Sequence, residues 1–275
     1  ANLWCAQDCE PEKKNSEIMP TEPYLLGFYS GCCGLWTSGP DFDWVPDSYK
    51  IKADNGKVYN RMTTVNGLFT AGDGVGGSGH KFSSGSHAEG RMTAKAMVRY
   101  ATDHADFTPT LQQSAQELVD IAYQPVRTYL DHVDYTTAAN INPNYLKPEG
   151  MMYRLMKATH EYGAGTATYY QTSTKSLEVV MDLLALMRED WEKVAAGDLH
   201  ELMRAWEIIH RIWTVEAHLR HIQYRKETRY PGFYYQADYP GQDDENWFCF
   251  VNSKFDPEKA EWDVFKKDYI KLIKD

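Results

Sequence analysis

Between Ala71 and Arg91 the sequence reads AGDGVGGSGHKFSSGSHAEGR, with seven glycines, four serines and two histidines in 21 residues. Glycine is a poor residue for the interior of a helix or strand, because it gives up the most backbone freedom on ordering. The chain is therefore expected to turn here. Upstream, NGLFTAGD is an apolar stretch closing on small residues, and downstream SHAEGRMTAKAMVRYATDH sets Ala88, Met92, Ala96 and Tyr100 at helical spacing. The sequence predicts a strand, a glycine loop and a helix.

Such a loop has chemical uses. Glycine lets the backbone approach a bound molecule closely, and the amides that open a helix attract anionic groups. Asp73 follows the expected strand at a point where its carboxylate can accept from ribose or ribitol hydroxyls, and Ser83, Ser84 and Ser86 can donate to carbonyls or ring nitrogens. The spacing GDGVGGSGH matches neither GxGxxG nor the phosphate-binding GxxxxGK[ST] pattern. By spacing alone, a cofactor cradle and a plain surface turn both stand. Of the two histidines, His80 suits a general acid or a substrate clamp, since imidazole titrates near working pH, and His87 suits capping or packing at the helix start.

On either side the pattern changes. Residues 23–70 alternate short apolar or aromatic runs with glycine, Pro40, Pro46 and the Asn55-Gly56 turn signal, which predicts short strands and turns. Beyond Thr108 the period is helical: one run is interrupted at Pro125, another begins after Pro148, and two more are separated by a stop at Gly197 and an N-cap at Asp198. In the last of them Leu199, Met203, Trp206, Ile209, Trp213 and Ile222 trace an apolar stripe, read as core packing. The aromatic, turn-rich tail is expected to wrap over a helical bundle.

Charge and cysteine content narrow the function class. Lys and Arg number 29 against 39 Asp and Glu, a net charge of −10, which disfavours a phosphate grip on nucleic acid. No apolar run approaches the roughly 20 residues of a membrane span, and the first residues are too polar and acidic for a signal peptide. Five sparse cysteines, Cys5, Cys9, Cys32, Cys33 and Cys249, fit a reducing compartment, so a cytoplasmic protein is expected. Cys5-x3-Cys9 and the vicinal Cys32-Cys33 lack the repeated C-x2-C spacing of iron-sulfur sites. His218 and His221 lie three apart with Glu216 nearby, but no second helix offers matching carboxylates, so no metal site is expected.

The segment GLFTAGDGVGGSGHKFSSGSHAEGR resembles the second flavin-contacting stretch of the fumarate reductase and succinate dehydrogenase flavoprotein superfamily. Its wording, with RMTTVNGLFTAGDG upstream and ETRYPGFYYQADYP and DENWFCFVNSKFDP downstream, is similar to alpha subunits of dissimilatory adenylylsulfate reductases. Dicarboxylate-reducing relatives carry an arginine after the histidine of this turn; here His80 is followed by KFSSGS, so a dicarboxylate substrate is disfavoured. Upstream, GFYSGCCG stands where relatives carry a histidine ahead of a glycine pair, with Tyr29 nearest that place.

The resemblance implies an α+β protein: an α/β flavin-binding portion followed by a mainly helical C-terminal domain, together a fragment of a larger FAD-binding fold. Residues 1–22 would close a capping domain, 23–105 would be the C-terminal part of the FAD-binding domain, and 106–275 the helical domain with its aromatic tail. The implied cofactor is FAD, and the implied reaction is reversible reduction of adenosine 5′-phosphosulfate to AMP and sulfite through a sulfite adduct at the flavin N5. An iron-sulfur beta subunit with two 4Fe-4S clusters would carry the electrons. His80 becomes the catalytic candidate, donating to sulfur oxyanions. Gly72, Asp73, Gly74, Lys81, Phe82, Ser83, Ser84 and Gly85 become the cofactor-contacting set, with Asp73 on the ribityl chain and Ser83, Ser84 and Gly85 at the pyrimidine edge of the flavin. Two rival expectations remain: another fumarate reductase-type flavin enzyme, and a noncatalytic module that docks an iron-sulfur partner.

Overall fold

The computed structural model describes residues 34–76, 83–135, 144–229 and 234–270, and the chain separates into two compact units, residues 1–104 and 105–275. The first unit places an irregular stretch, 34–76, against one long helix, α1 (Ser83–Asp103). Pairing in the stretch is limited to isolated bridges, Leu35 with Val75, Lys52 with Val58 and Met62 with Phe69. The strand expected at NGLFTAGD is therefore reduced to single bridges at Phe69 and Val75. Its end is instead consumed by a single helical turn, Gly72–Gly74, where two glycines and an aspartate favour a turn over a ladder.

A small aromatic core joins the stretch to α1. Tyr59, Met62, Ala53 and Ala96 are buried together, with Ile51, Phe69 and Tyr100 against them. The Tyr100 ring meets Tyr59 edge-on at 5.0 Å and Phe69 at 5.8 Å. On α1 the packed face runs through Glu89, Thr93 and Ala96 to Tyr100; Met92, expected on that face, is 40% exposed. Polar contacts close the far end of the helix: Tyr59 Oη donates to Asp103 Oδ2 at 2.7 Å, and His104 Nε2 lies 2.9 Å from Asp54 Oδ1.

The second unit is helical. α2 (Ala115–Ala122) opens on a capping box between Ser114 and Glu117, and α3 (Gln124–His132) restarts the chain with Pro125 in its first turn. There the missing proline amide is no loss. α4 (Pro148–Tyr162) likewise begins on its proline, and α5 (Thr174–Trp191) and α6 (Leu199–Tyr224) are capped by Ser173 and Asp198, whose side chains accept from the amides of Ser176 and Glu201. The N-cap at Asp198 matches the sequence expectation. Gly197 does not stop α5, which ends six residues earlier at Trp191; the chain then runs beside residue 146, with Val194 bridging Leu146.

Met151, Leu155, Leu177, Val180, Leu184, Ile208, Ile212, Leu219 and Ile222 form the core shared by α4, α5 and α6. The buried stripe of α6 therefore differs from the expected one. Ala205, Ile208, Ile212, Leu219 and Ile222 face inward, while Leu199 and Met203 are 71% and 53% exposed.

Two small sheets complete the unit. β1 (Gln171–Thr172) pairs in parallel with β2 (Tyr235–Gln236), and after the short helix α7 (Asp244–Trp247) the chain forms an antiparallel hairpin, β3 (Cys249–Asp256) with β4 (Glu261–Asp268). The tail is thus a regular hairpin in its last part, registered from Cys249 opposite Asp268 to Asp256 opposite Glu261. Its base is tied to the helices through Glu227, fully buried, which accepts from Arg225 at 2.5 Å, Arg229 at 2.6 Å and the Asp243 amide at 2.8 Å. Burial pushes the Glu227 carboxyl up, yet Arg229, the Asp243 amide and Arg225 together hold it below its ordinary value. Among the described residues no helix is long and apolar enough to cross a membrane.

Candidate functional site

The glycine turn is built by the backbone on one side and α1 on the other. Gly34 N-terminal to the Leu35 bridge lies so close to Val75 and Gly76 that a Cβ there would sit 2.6 Å from the Gly76 nitrogen. Leu35 donates to the Gly74 carbonyl at 2.8 Å, and Gly76 donates back to Leu35 at 2.9 Å. The incoming chain is thereby stitched along the turn. Gly72 is buried with φ +65°, and a Cβ on it would meet Ser86 Oγ at 3.0 Å. Glycine is required there on both counts, left-handed backbone and contact with the helix.

The turn therefore rests directly on the opening of α1. Asp73 and Gly74 are exposed at its crest, and Ser83 and Ser84 are exposed in the first turn of α1, with Gly85 half-buried beside them. The first turn of α1 contains no acidic residue, so its amides keep their attraction for an anionic or electron-rich group. A carboxylate that accepts from hydroxyls and hydroxyls that donate to carbonyls lie on adjoining segments. In chemical kind this set fits the ribityl and pyrimidine parts of a flavin. The remaining sequence candidates, His80, Lys81 and Phe82, lie outside the described residues, as do Cys5, Cys9, Tyr29, Cys32, Cys33 and the expected 1–22 domain. His87 is exposed on α1.

Two residues missed by the sequence reading stand behind the turn. Glu89, 4% exposed, accepts the Gly72 amide through Oε2 at 3.1 Å, and its Oε1 lies 3.6 Å from an Arg61 guanidinium nitrogen. Thr93 Oγ1 donates to the Thr70 carbonyl at 3.5 Å. Nothing in the sequence marked Glu89, because the expected apolar face of this helix ran through Ala88, Met92, Ala96 and Tyr100.

Elsewhere the described residues offer less. Two open clefts of about 540 and 710 Å³ belong to the second unit, one beside Trp191 and Trp206 and one at the tip of the β3–β4 hairpin, and no sequence-predicted site residue lines either. Among the described residues no group of three or more His, Cys, Asp or Glu is arranged to hold a metal ion. His221 turns its Nδ1 to the Ala217 carbonyl at 2.6 Å, a contact within its own helix.

No family model matches the chain. It is 57% identical over 273 residues to the adenylylsulfate reductase subunit alpha of Megalodesulfovibrio gigas, an alignment that covers 99% of this chain and 41% of that protein. A solved structure described as adenosine-5-phosphosulfate reductase in complex with sulfite, a covalent adduct, matches with TM-score 0.85 and 47% identity, over 99% of this chain and 42% of that one. Adenylylsulfate reductase from the hyperthermophilic Archaeoglobus fulgidus matches with TM-score 0.84 and 46% identity over the same 99% and 42%. The FrdA chain of E. coli quinol fumarate reductase, at 16% identity and TM-score 0.55 over 78% of this chain and 36% of its own, shares the fold. The chain spans about two fifths of the length of the adenylylsulfate reductases it matches.

Proposed function

We infer, from the premise that this chain is a homologue of the adenylylsulfate reductase alpha subunit in the fumarate reductase and succinate dehydrogenase flavoprotein superfamily, that it supplies the flavin-edge and sulfur-oxyanion part of an adenylylsulfate reductase. The observation that carries this reading is the Gly72–Gly74 turn. It is seated on the opening of α1 with Asp73, Ser83 and Ser84 exposed, in a chain 57% identical to such a subunit.

FAD held here would supply the two electrons by which adenosine 5′-phosphosulfate would become sulfite, its sulfur falling from the +VI to the +IV state, and AMP, which would keep the bridging oxygen. The protein's task is to hold a polyanion beside the flavin. Asp73 accepts from ribityl hydroxyls. Ser83, Ser84 and the Gly85 amide donate to the pyrimidine edge, where negative charge gathers on reduction. Gly72 and Gly74 let the backbone come close, Lys81 and Phe82 continue the contact surface, and Lys81 adds positive charge. His80 donates to the sulfur oxyanion as the S–O bond breaks.

An α/β flavin-binding portion in residues 23–105 and a helical domain in 106–275 complete the proposed organisation. Electrons reach the site from an iron-sulfur beta subunit with two 4Fe-4S clusters, and we place the protein in the cytoplasm. In the flavin-loaded protein assembled with that partner, adenosine 5′-phosphosulfate is expected to yield AMP and sulfite, and fumarate to remain unreduced. His80→Ala should lower turnover about a hundredfold or more while flavin absorbance per chain is unchanged. Full activity in that variant removes His80 from the site, and reduction of fumarate with no reaction of the phosphosulfate moves the protein to a dicarboxylate-type relative.

A further inference from the structure

A carboxylate as enclosed as Glu89 is costly unless donors surround it. Its two oxygens reach different parts of the chain: Oε2 takes the Gly72 amide at 3.1 Å, and Oε1 faces the Arg61 guanidinium at 3.6 Å. Both of these partners stand on left-handed backbone, Gly72 at φ +65° and Arg61 at φ +68°. For arginine that conformation is uncommon and persists where its surroundings fix it. The Arg61 carbonyl accepts the Thr70 amide at 3.3 Å, and Arg61 Nε is buried with no hydrogen-bond partner among the described residues. The guanidinium is thus held for its charge more than for its full set of donors.

Fastening α1 to this segment does not itself need a charge. Thr93, one helical turn on, already ties α1 to Thr70 through its hydroxyl, and a neutral side chain at position 89 could fill the same space. What the carboxylate adds is a fixed negative charge hydrogen-bonded to the residue immediately before Asp73. Resting on the reading that the Gly72–Gly74 turn touches the flavin, we propose that Glu89 is a positioning residue for that turn. Paired with Arg61, it fixes the Gly72 amide, and so sets the placement of Asp73, while its charge opposes the build-up of negative charge on the reduced flavin. It touches neither substrate nor cofactor.

The test uses the flavin-loaded protein in four forms: wild type, Glu89→Gln, Glu89→Asp and Thr93→Val, each measured for flavin retained, flavin midpoint potential and melting temperature. Glu89→Gln keeps an acceptor for Gly72 and drops the charge, so flavin should be retained at a more positive potential. Glu89→Asp keeps the charge but draws it back by one methylene, so flavin should be held about tenfold more weakly, with a near-wild-type potential in the fraction that remains. Thr93→Val should lower the melting temperature and leave the potential unmoved. Glutamine and aspartate variants that lose only thermal stability, with wild-type potential and retention, would overturn the proposal and leave the functional reading intact. A wild-type protein that takes up no flavin would overturn both.

Discussion

His104 shows how a single side chain ties the first unit together at one pH and not at another. Its Nδ1 faces the Tyr100 carbonyl at 2.8 Å and its Nε2 faces Asp54 Oδ1 at 2.9 Å, so satisfying both partners requires a proton on each nitrogen. The bond to Asp54, and then the one to Tyr100, holds the imidazole above its ordinary value, and the same bond to His104 holds Asp54 below its own. A raised histidine stabilises fully below its unfolded pKa of about 6.5 and ceases to do so as pH rises through the folded value; a lowered aspartate stabilises above about 3.9 and ceases as pH falls through its folded value. The pair therefore works best between about pH 4 and pH 6.5. The melting-temperature gap between wild type and His104→Gln should be larger at pH 6 than at pH 9, and a gap that does not change with pH would contradict the assignment. No local pattern announces this pair, because Asp54 and His104 are 50 positions apart and meet only after the stretch has folded back on α1.

The helices were the most readable elements, and their faces were the least. Pro125 marked a break in a helical run, and Pro148 and Asp198 marked helix starts, because each acts within one turn of itself: proline fixes its own φ, and an N-cap side chain bonds an amide two or three residues on. Which residues of α6 face inward depends on α4 and α5, which no local pattern contains. Trp206, Ile209 and Trp213 drew the expected stripe toward Leu199 and Met203, whereas the packed line runs through Ile208, Ile212 and Leu219. Substitution separates the two lines. Ile212→Ala should cost about 2–5 kcal/mol of unfolding free energy by leaving a cavity between the helices, and Leu199→Ala should stay within about 0.5 kcal/mol. Chemical denaturation that gave equal losses at both positions would refute the observed face. The β3–β4 hairpin was missed for a related reason: Trp262 and Phe255 lie 5.0 Å apart across it, with Trp213 of α6 4.8 Å from Phe255, so its aromatics read as loop decoration until strand and helix are seen together.

Across the chain, the glycine stretch carried the most functional information, and its two halves were unequally legible. Gly72, Asp73, Ser83 and Ser84 stood out by residue type. Their support, Glu89 with Arg61, did not, since a buried carboxylate on a helix looks like any surface glutamate in a sequence. The structure adds that the turn and the opening of α1 are one assembly: Gly72 is pressed on Ser86 and bonded to Glu89. Asp73, Ser83 and Ser84 are exposed on these adjoining segments, and the likeness to adenylylsulfate reductase alpha subunits makes sulfur the element to test. The decisive measurement is a sulfite titration of the flavin-loaded protein followed in the visible absorbance of oxidised flavin. Saturable bleaching on adding sulfite, reversed when sulfite is removed and weakened in His80→Ala, is the result expected of a site that holds a sulfur oxyanion against the flavin. A flavin spectrum that sulfite leaves unchanged would contradict it.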